Sequence, residues 1–190
     1  SKMFEIQLQP AGSSLTGRRF DLKGNFMFSR PFIAATTALL HICSKTFSLK
    51  FELNAERKTL VTSTFTARPN PESKDSSGEL HLNGESLTLK SVEVDGQLLG
   101  DEQFKVDAHG LIIPGINGKK TVKIINTMSP KANTELSGIY ASGRCLMASA
   151  NLSFRRITYF LDRPDVLARY TTIIRGSTED FPVMLSNGNL

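Results

Sequence analysis

The chain has 190 residues, a formal net charge of +5, 39% hydrophobic and 22% charged side chains, and 12 phenylalanines with no tryptophan. That length buries one sizeable core and argues against two full domains, and the composition is that of a folded globular protein rather than a disordered or fibrous one. The charge excess sits almost entirely in residues 1–45, where Lys2, Arg18, Arg19, Lys23, Arg30 and Lys45 are opposed only by Glu5 and Asp21, so a nucleic-acid footprint on the nearly balanced main body is excluded.

Residues 1–45 form a lead-in segment of unsettled structure. Phe4, Ile6 and Leu8 alternate, as do Phe26 and Phe28, which suits an added strand. Pro31 to Ile42 fits either a strand or a short buried helix, because periodicity does not separate the two, and the longest apolar run is FIAATTALLHIC at 32–43. At about 12 residues it is too short for the roughly 20 that span a bilayer, so no membrane span is predicted. The basic, acid-poor leader also has the look of an organellar targeting segment. Cytoplasm is the expected compartment, with targeting as the alternative. Cys43 and Cys145 have neither a metal-binding spacing nor the density of a disulfide framework, and two thiols are the simpler reading.

From residue 46 onward alternation dominates. FSLKFEL at 47–53 puts Phe47, Leu49, Phe51 and Leu53 on one face and Ser48, Lys50 and Glu52 on the other. TLVTSTFTA at 59–67 is rich in β-branched residues and reads as its hairpin partner across a turn at 54–58. RPNPESKDSSGE at 68–79 is the clearest loop. Leu80 and Leu82 then lead into Asn83-Gly84, and Leu87, Leu89, Val92 and Val94 into Asp95-Gly96; both dipeptides supply the positive φ angles of type I′ turns and predict hairpins. Further strands are expected at 103–106, 110–113, 121–125, 156–160, 170–175 and 183–186. Pro164 makes 162–165 a turn. This spacing predicts an all-β fold, an antiparallel saddle-like sandwich of short strands and hairpins, with the domain proper over 46–190.

Catalytic chemistry is hard to place. His41, His81 and His109 are widely separated, whereas a zinc protease needs two histidines one helical turn apart and a Glu base. No nucleophile elbow or phosphate loop occurs; GINGKK at 115–120 reads as a basic hairpin turn. Asp162 and Asp165 flank Arg163-Pro164, where Asp162 accepts backbone N–H groups and Arg163 pairs locally rather than both carboxylates forming a catalytic pair.

Four segments, in order, carry a more specific signal: LHLNGESLTLKSVEVDG at 80–96, VKIINTMSPKANTELSGIYASG at 122–143, FRRITYFLDRPDVLARYTTII at 154–174 and LSNGN at 185–189. Together they resemble the N-terminal domain of the aminopeptidase N family, gluzincin zinc metallopeptidases, in the bacterial-type alanyl aminopeptidases. The resemblance covers about residues 47–190. It implies a saddle-shaped β domain that packs on a thermolysin-like catalytic domain of the same polypeptide. It further implies that the zinc, the Gly-x-Met-Glu-Asn substrate motif and the His-Glu-x-x-His site belong to that domain, beyond this chain. No cofactor is expected in the chain itself, which is predicted to be inactive alone.

The same resemblance directs attention to a loop. After Tyr-x-Ser-Gly the family carries Thr-Gln-Cys-Glu, whose Gln and Glu help to hold the α-amine of a peptide substrate. Here the loop is RCLMASANLS at 144–153, with Ser149 and Asn151 in the corresponding places and no acid. An ammonium wants a carboxylate, so weakened or absent amine recognition is expected. The alternative implied is a degenerate binding or scaffold module without peptidase activity. An isolated domain of this kind also exposes its docking face, which favours self-association.

Overall fold

The computed structural model describes residues 3–8, 42–43, 46–54, 58–69, 78–135, 137–142, 145–149, 154–162 and 168–183. Thirteen strands occur among them: β1 (Met3–Leu8), β2 (Ile42–Cys43), β3 (Thr46–Glu52), β4 (Thr59–Pro69), β5 (Leu80–Asn83), β6 (Thr88–Val94), β7 (Gln97–Leu98), β8 (Lys105–Val106), β9 (Gly110–Ile113), β10 (Lys120–Met128), β11 (Gly138–Ser142), β12 (Cys145–Ser149) and β13 (Arg169–Ser177). The main sheet runs β1-β13-β3-β4-β10-β6-β7, with β2 paired to the end of β4; β5-β9-β8 form a second sheet and β11-β12 a separate hairpin. The fold is an all-β sandwich with open sheets. Among the described pairings only β13 with β3 is parallel.

The β3–β4 hairpin forms with Phe47 opposite Phe65 and Phe51 opposite Val61. Its alternation becomes one buried face, Phe47, Leu49 and Phe51 from β3 with Val61, Phe65 and Ala67 from β4. Across from it the second sheet contributes Leu80, Leu82, Leu111 and Ile113, and these meet Val92, Val122 and Ile124 of the main sheet in one cluster. Burial of about 25 cal/mol per Å² of apolar surface makes this two-layer contact the chief source of stability.

The segment predicted as a strand at 156–160 is something else. Phe154–Arg156 is a single 3-10 turn, and the chain then runs buried from Ile157 to Asp162, meeting the second sheet at one bridge where Asn83 and Phe160 exchange backbone hydrogen bonds of 2.8 and 3.0 Å. A strand with one solvent face alternates; a segment enclosed on all sides does not. Phe160 closes on Phe47 and Phe154 at 4.8 and 4.6 Å between ring centres. Beneath it, Thr158 donates to Asn126 Oδ1 at 2.8 Å, Asn126 Nδ2 donates to the Ile157 carbonyl at 3.0 Å, and Ser63 lies 3.3 Å from the Thr158 hydroxyl. A hydroxyl has one proton, so Ser63 is the donor in that last contact.

Two turn dipeptides diverge. Asp95 and Gly96, at φ 52° and 81°, make the expected tight turn between β6 and β7. Asn83-Gly84 makes none: β5 pairs with β9, not β6, and the positive φ falls at Ser86. Gly84 is small because a Cβ there would lie 2.3 Å from the Tyr159 ring. Likewise 115–120 is no hairpin. It carries the chain from β9 in one sheet to β10 in the other. The expected strand at 183–186 and the turn residues Arg163 and Asp165 lie outside the described residues, apart from Val183, which is in no strand. β1 forms the outer edge of the main sheet through six residues paired with β13.

Candidate functional site

The loop singled out by the sequence lies on and after β12. Its β11 partner is positioned from below by Ile139, 5% exposed and packed with Leu49, Phe51, Val61, Met128 and Ile157. Gly138 faces Ser149 in the ladder. It adopts φ 76°, and a Cβ there would come within 2.9 Å of Arg156 Cβ, so glycine lets the hairpin sit directly on the 3-10 turn. The structure thus brings Ser149 to the base of the hairpin; Asn151 lies outside the described residues.

The connection before β11 is drawn in by one side chain. Asn133 Nδ2 donates to the carbonyls of Ser137 and Ile139 at 2.6 and 2.9 Å, and its Oδ1 accepts the Glu135 N–H at 3.1 Å. The Ala141 N–H reaches the Pro130 carbonyl at 3.2 Å. Beside this loop opens a cleft of about 290 Å³ lined by Ser86, Ser129, Asn133, Thr134, Glu135 and Arg156, among others. Arg156 Nη2 donates to Glu85 at 2.7 Å across 71 residues of sequence. The pair, 19% and 44% exposed, ties the 3-10 turn to the chain after β5.

Two of these groups escape sequence reading. Glu135 brings a carboxylate to the cleft from the loop before β11, outside the 144–153 segment to which the family resemblance points. Arg156 lies inside the 154–174 segment, but nothing local indicates its partner. Asp162 behaves as a structural group: it accepts from the Arg155 backbone N–H at 3.3 Å and from Arg155 Nε at 2.6 Å. Its cation is therefore Arg155, seven residues upstream. His81 contacts Glu79 at 3.0 Å on an exposed strand face, and His109 donates its backbone N–H to Asp107 at 2.7 Å. Those bonds, to His109 first and Gly110 next, hold the Asp107 carboxyl below its usual value.

Over 142 residues, 74% of this chain, the sequence is 43% identical to aminopeptidase N of Escherichia coli strain K12, of which it covers 16%. The chain is an N-terminal domain of the aminopeptidase N family. No family profile matches it. The crystal structure of Legionella pneumophila aminopeptidase A in complex with aspartic acid matches with a TM-score of 0.72 and 31% identity, over 78% of this chain and 18% of that one. An M1 zinc metallopeptidase of Deinococcus radiodurans shares the fold, with a TM-score of 0.56 and 10% identity over 72% of this chain and 34% of that one. The chain thus spans less than a fifth of the first two proteins. Among the described residues no three His, Cys, Asp or Glu side chains come together where they could hold a metal ion. Among the described residues no helix is long and apolar enough to cross a membrane.

Proposed function

We propose that residues 46–190 are the non-catalytic N-terminal domain of a zinc-dependent aminopeptidase and help to form the cleft that receives a peptide's N-terminus. The observation that carries this is the 43% identity to aminopeptidase N over 74% of the chain. The partner is then a catalytic domain of the same polypeptide, which holds the zinc, and the substrate is a peptide. Cytoplasm is the compartment we assign. In the substrate cleft of the parent enzyme Ser149 and Asn151 take positions beside the substrate, and the Glu135 carboxylate, lining the space next to the β11–β12 hairpin, is the group suited to a substrate ammonium. The isolated domain, without its partner, self-associates through the face left open.

The test compares the full polypeptide with this domain alone. The full protein is expected to contain stoichiometric zinc and to release N-terminal residues from peptides, and the domain to do neither. Glu135→Gln in the full protein raises KM for free-amine peptides by about tenfold, the loss of one charged hydrogen bond. A full protein that holds zinc yet turns over no peptide would overturn this in favour of a scaffold derived from the fold. Stoichiometric zinc bound by the domain alone would overturn the assignment of the metal.

A further inference from the structure

The face of the main sheet turned away from the core carries an ordered patch of hydroxyls. The register places Thr171, Ser48, Thr64 and Lys123 side by side across β13, β3, β4 and β10. One step along, Arg169 pairs with Thr46 and Thr121 with Thr66, and continuing the β3–β4 register by one residue joins them into a second row. These side chains alternate with the buried Phe47, Phe65 and Val122, so all point outward. Between the rows lies a groove of about 290 Å³ whose lining includes Thr46, Ser48, Thr64, Thr66, Thr171 and Arg169, and no acidic residue.

The charges around the groove are unequal. Glu52 is held by Lys50, Glu93 by Lys123 and Asp95 by Lys120. Among the described residues no acidic side chain pairs with Arg169, and its guanidinium stands at the edge of a field of hydroxyl donors. Arginine presents a planar fork that matches the oxygens of a phosphate group, and hydroxyls rotate to donate to the remaining oxygens.

We propose that this groove binds a phosphate-class oxyanion, with Arg169 as its counter-charge and the Thr64, Thr66 and Thr171 hydroxyls as donors. The site lies on the opposite side of the sheet from the core and does not depend on the aminopeptidase reading. Ionic attraction at an exposed arginine is screened by salt, so affinity falls as ionic strength rises.

Amide NMR titration of the chain with inorganic phosphate and with phenyl phosphate, at ionic strength held constant with chloride, decides the matter. Saturable shifts confined to β13, β3 and β4 are expected. Binding of both probes assigns the site to the bare anion; binding of phenyl phosphate alone assigns it to a monoester. Arg169→Gln weakens binding by about tenfold and Thr64→Val by about threefold, as befits one charged and one neutral hydrogen bond. Lys105→Gln, off this face, leaves it unchanged. Thermal unfolding in chloride confirms that each variant is folded; should Arg169→Gln fail that check, Thr64→Val alone carries the test. Absence of saturable shifts for both probes, or equal weakening by Lys105→Gln, overturns the proposal.

Discussion

The two faces of β4 carry the same kind of residue to opposite ends. On the inner face Thr59, Val61, Ser63, Phe65 and Ala67 are all buried, whereas Leu60, Thr62, Thr64 and Thr66 of the outer face stay partly exposed. Inside, Ser63 sits in a closed set of partners with Thr158 and Asn126, whereas the buried Thr59 hydroxyl finds no partner among the described residues. Outside, water completes whatever the protein leaves unpaired. A hydroxyl is therefore structural on one face and available to a ligand on the other, and the difference lies in the surroundings rather than the residue.

The largest expected effect breaks the inner set. Asn126 is fully buried, and Asn126→Leu strips the Ile157 carbonyl of its donor and the Thr158 hydroxyl of its acceptor. Leaving both unsatisfied costs about 2–4 kcal/mol. Thr62→Val, the matching change on the outer face, stays within about 0.5 kcal/mol. Urea unfolding of the two variants measures the contrast, and similar losses would show that the inner network is no more than surface-like hydrogen bonding.

A second comparison sharpens the role of packing against that of backbone conformation. Gly84→Ala drives a methyl into the buried Tyr159 ring, and forcing that ring aside costs about 1–3 kcal/mol. At Gly96 nothing lies within 4 Å, but φ is +81°, so Gly96→Ala costs about 1 kcal/mol through strain alone. The discriminating measurement is rescue: Tyr159→Leu relieves part of the Gly84→Ala loss and none of the Gly96→Ala loss. Equal behaviour in the Tyr159→Leu background sinks the packing account.

These two glycines also mark how far the sequence is legible. Asp95-Gly96 is read correctly because a turn between paired strands is a local property of two residues. Asn83-Gly84 is misread because its glycine answers to Tyr159, 75 positions away, and no local pattern encodes that contact. The same division runs through the candidate site. Strands β3, β4 and β9, whose alternation or turn signals are local, lie where the residues predict. The buried course of 157–162, the parallel β13–β3 pairing, the Arg156–Glu85 bond and the arrival of Glu135 beside the hairpin depend on residues far apart in the chain, so each is a product of the packed fold. The family resemblance bridges part of that gap, since the order of its four segments carries three-dimensional information that their separate periodicities lack.

The smallest expected effect follows from tyrosines packed on the inner side. Burial, with the Asp162 charge as a lesser cause, pushes the Tyr170 hydroxyl up to about 12 from 10.0, and burial with Asp107 raises Tyr159 as well. A tyrosine whose folded pKa is raised resists ionising while folded, whereas the unfolded chain ionises freely. The stability it contributes is complete below pH 10 and drains away as the pH climbs from there towards 12. Tyr170→Phe keeps the ring that stacks at 5.7 Å on Phe47 but removes the titrating proton. Its urea midpoint is expected to fall less steeply over that alkaline window than that of the parent protein, with little difference near neutrality. Lysines also lose charge in this range, but they do so equally in both proteins, so the difference between the two curves isolates the buried hydroxyl. Parallel curves would mean that Tyr170 titrates as though exposed, and the inner side would then be wetter at that point than its packing shows.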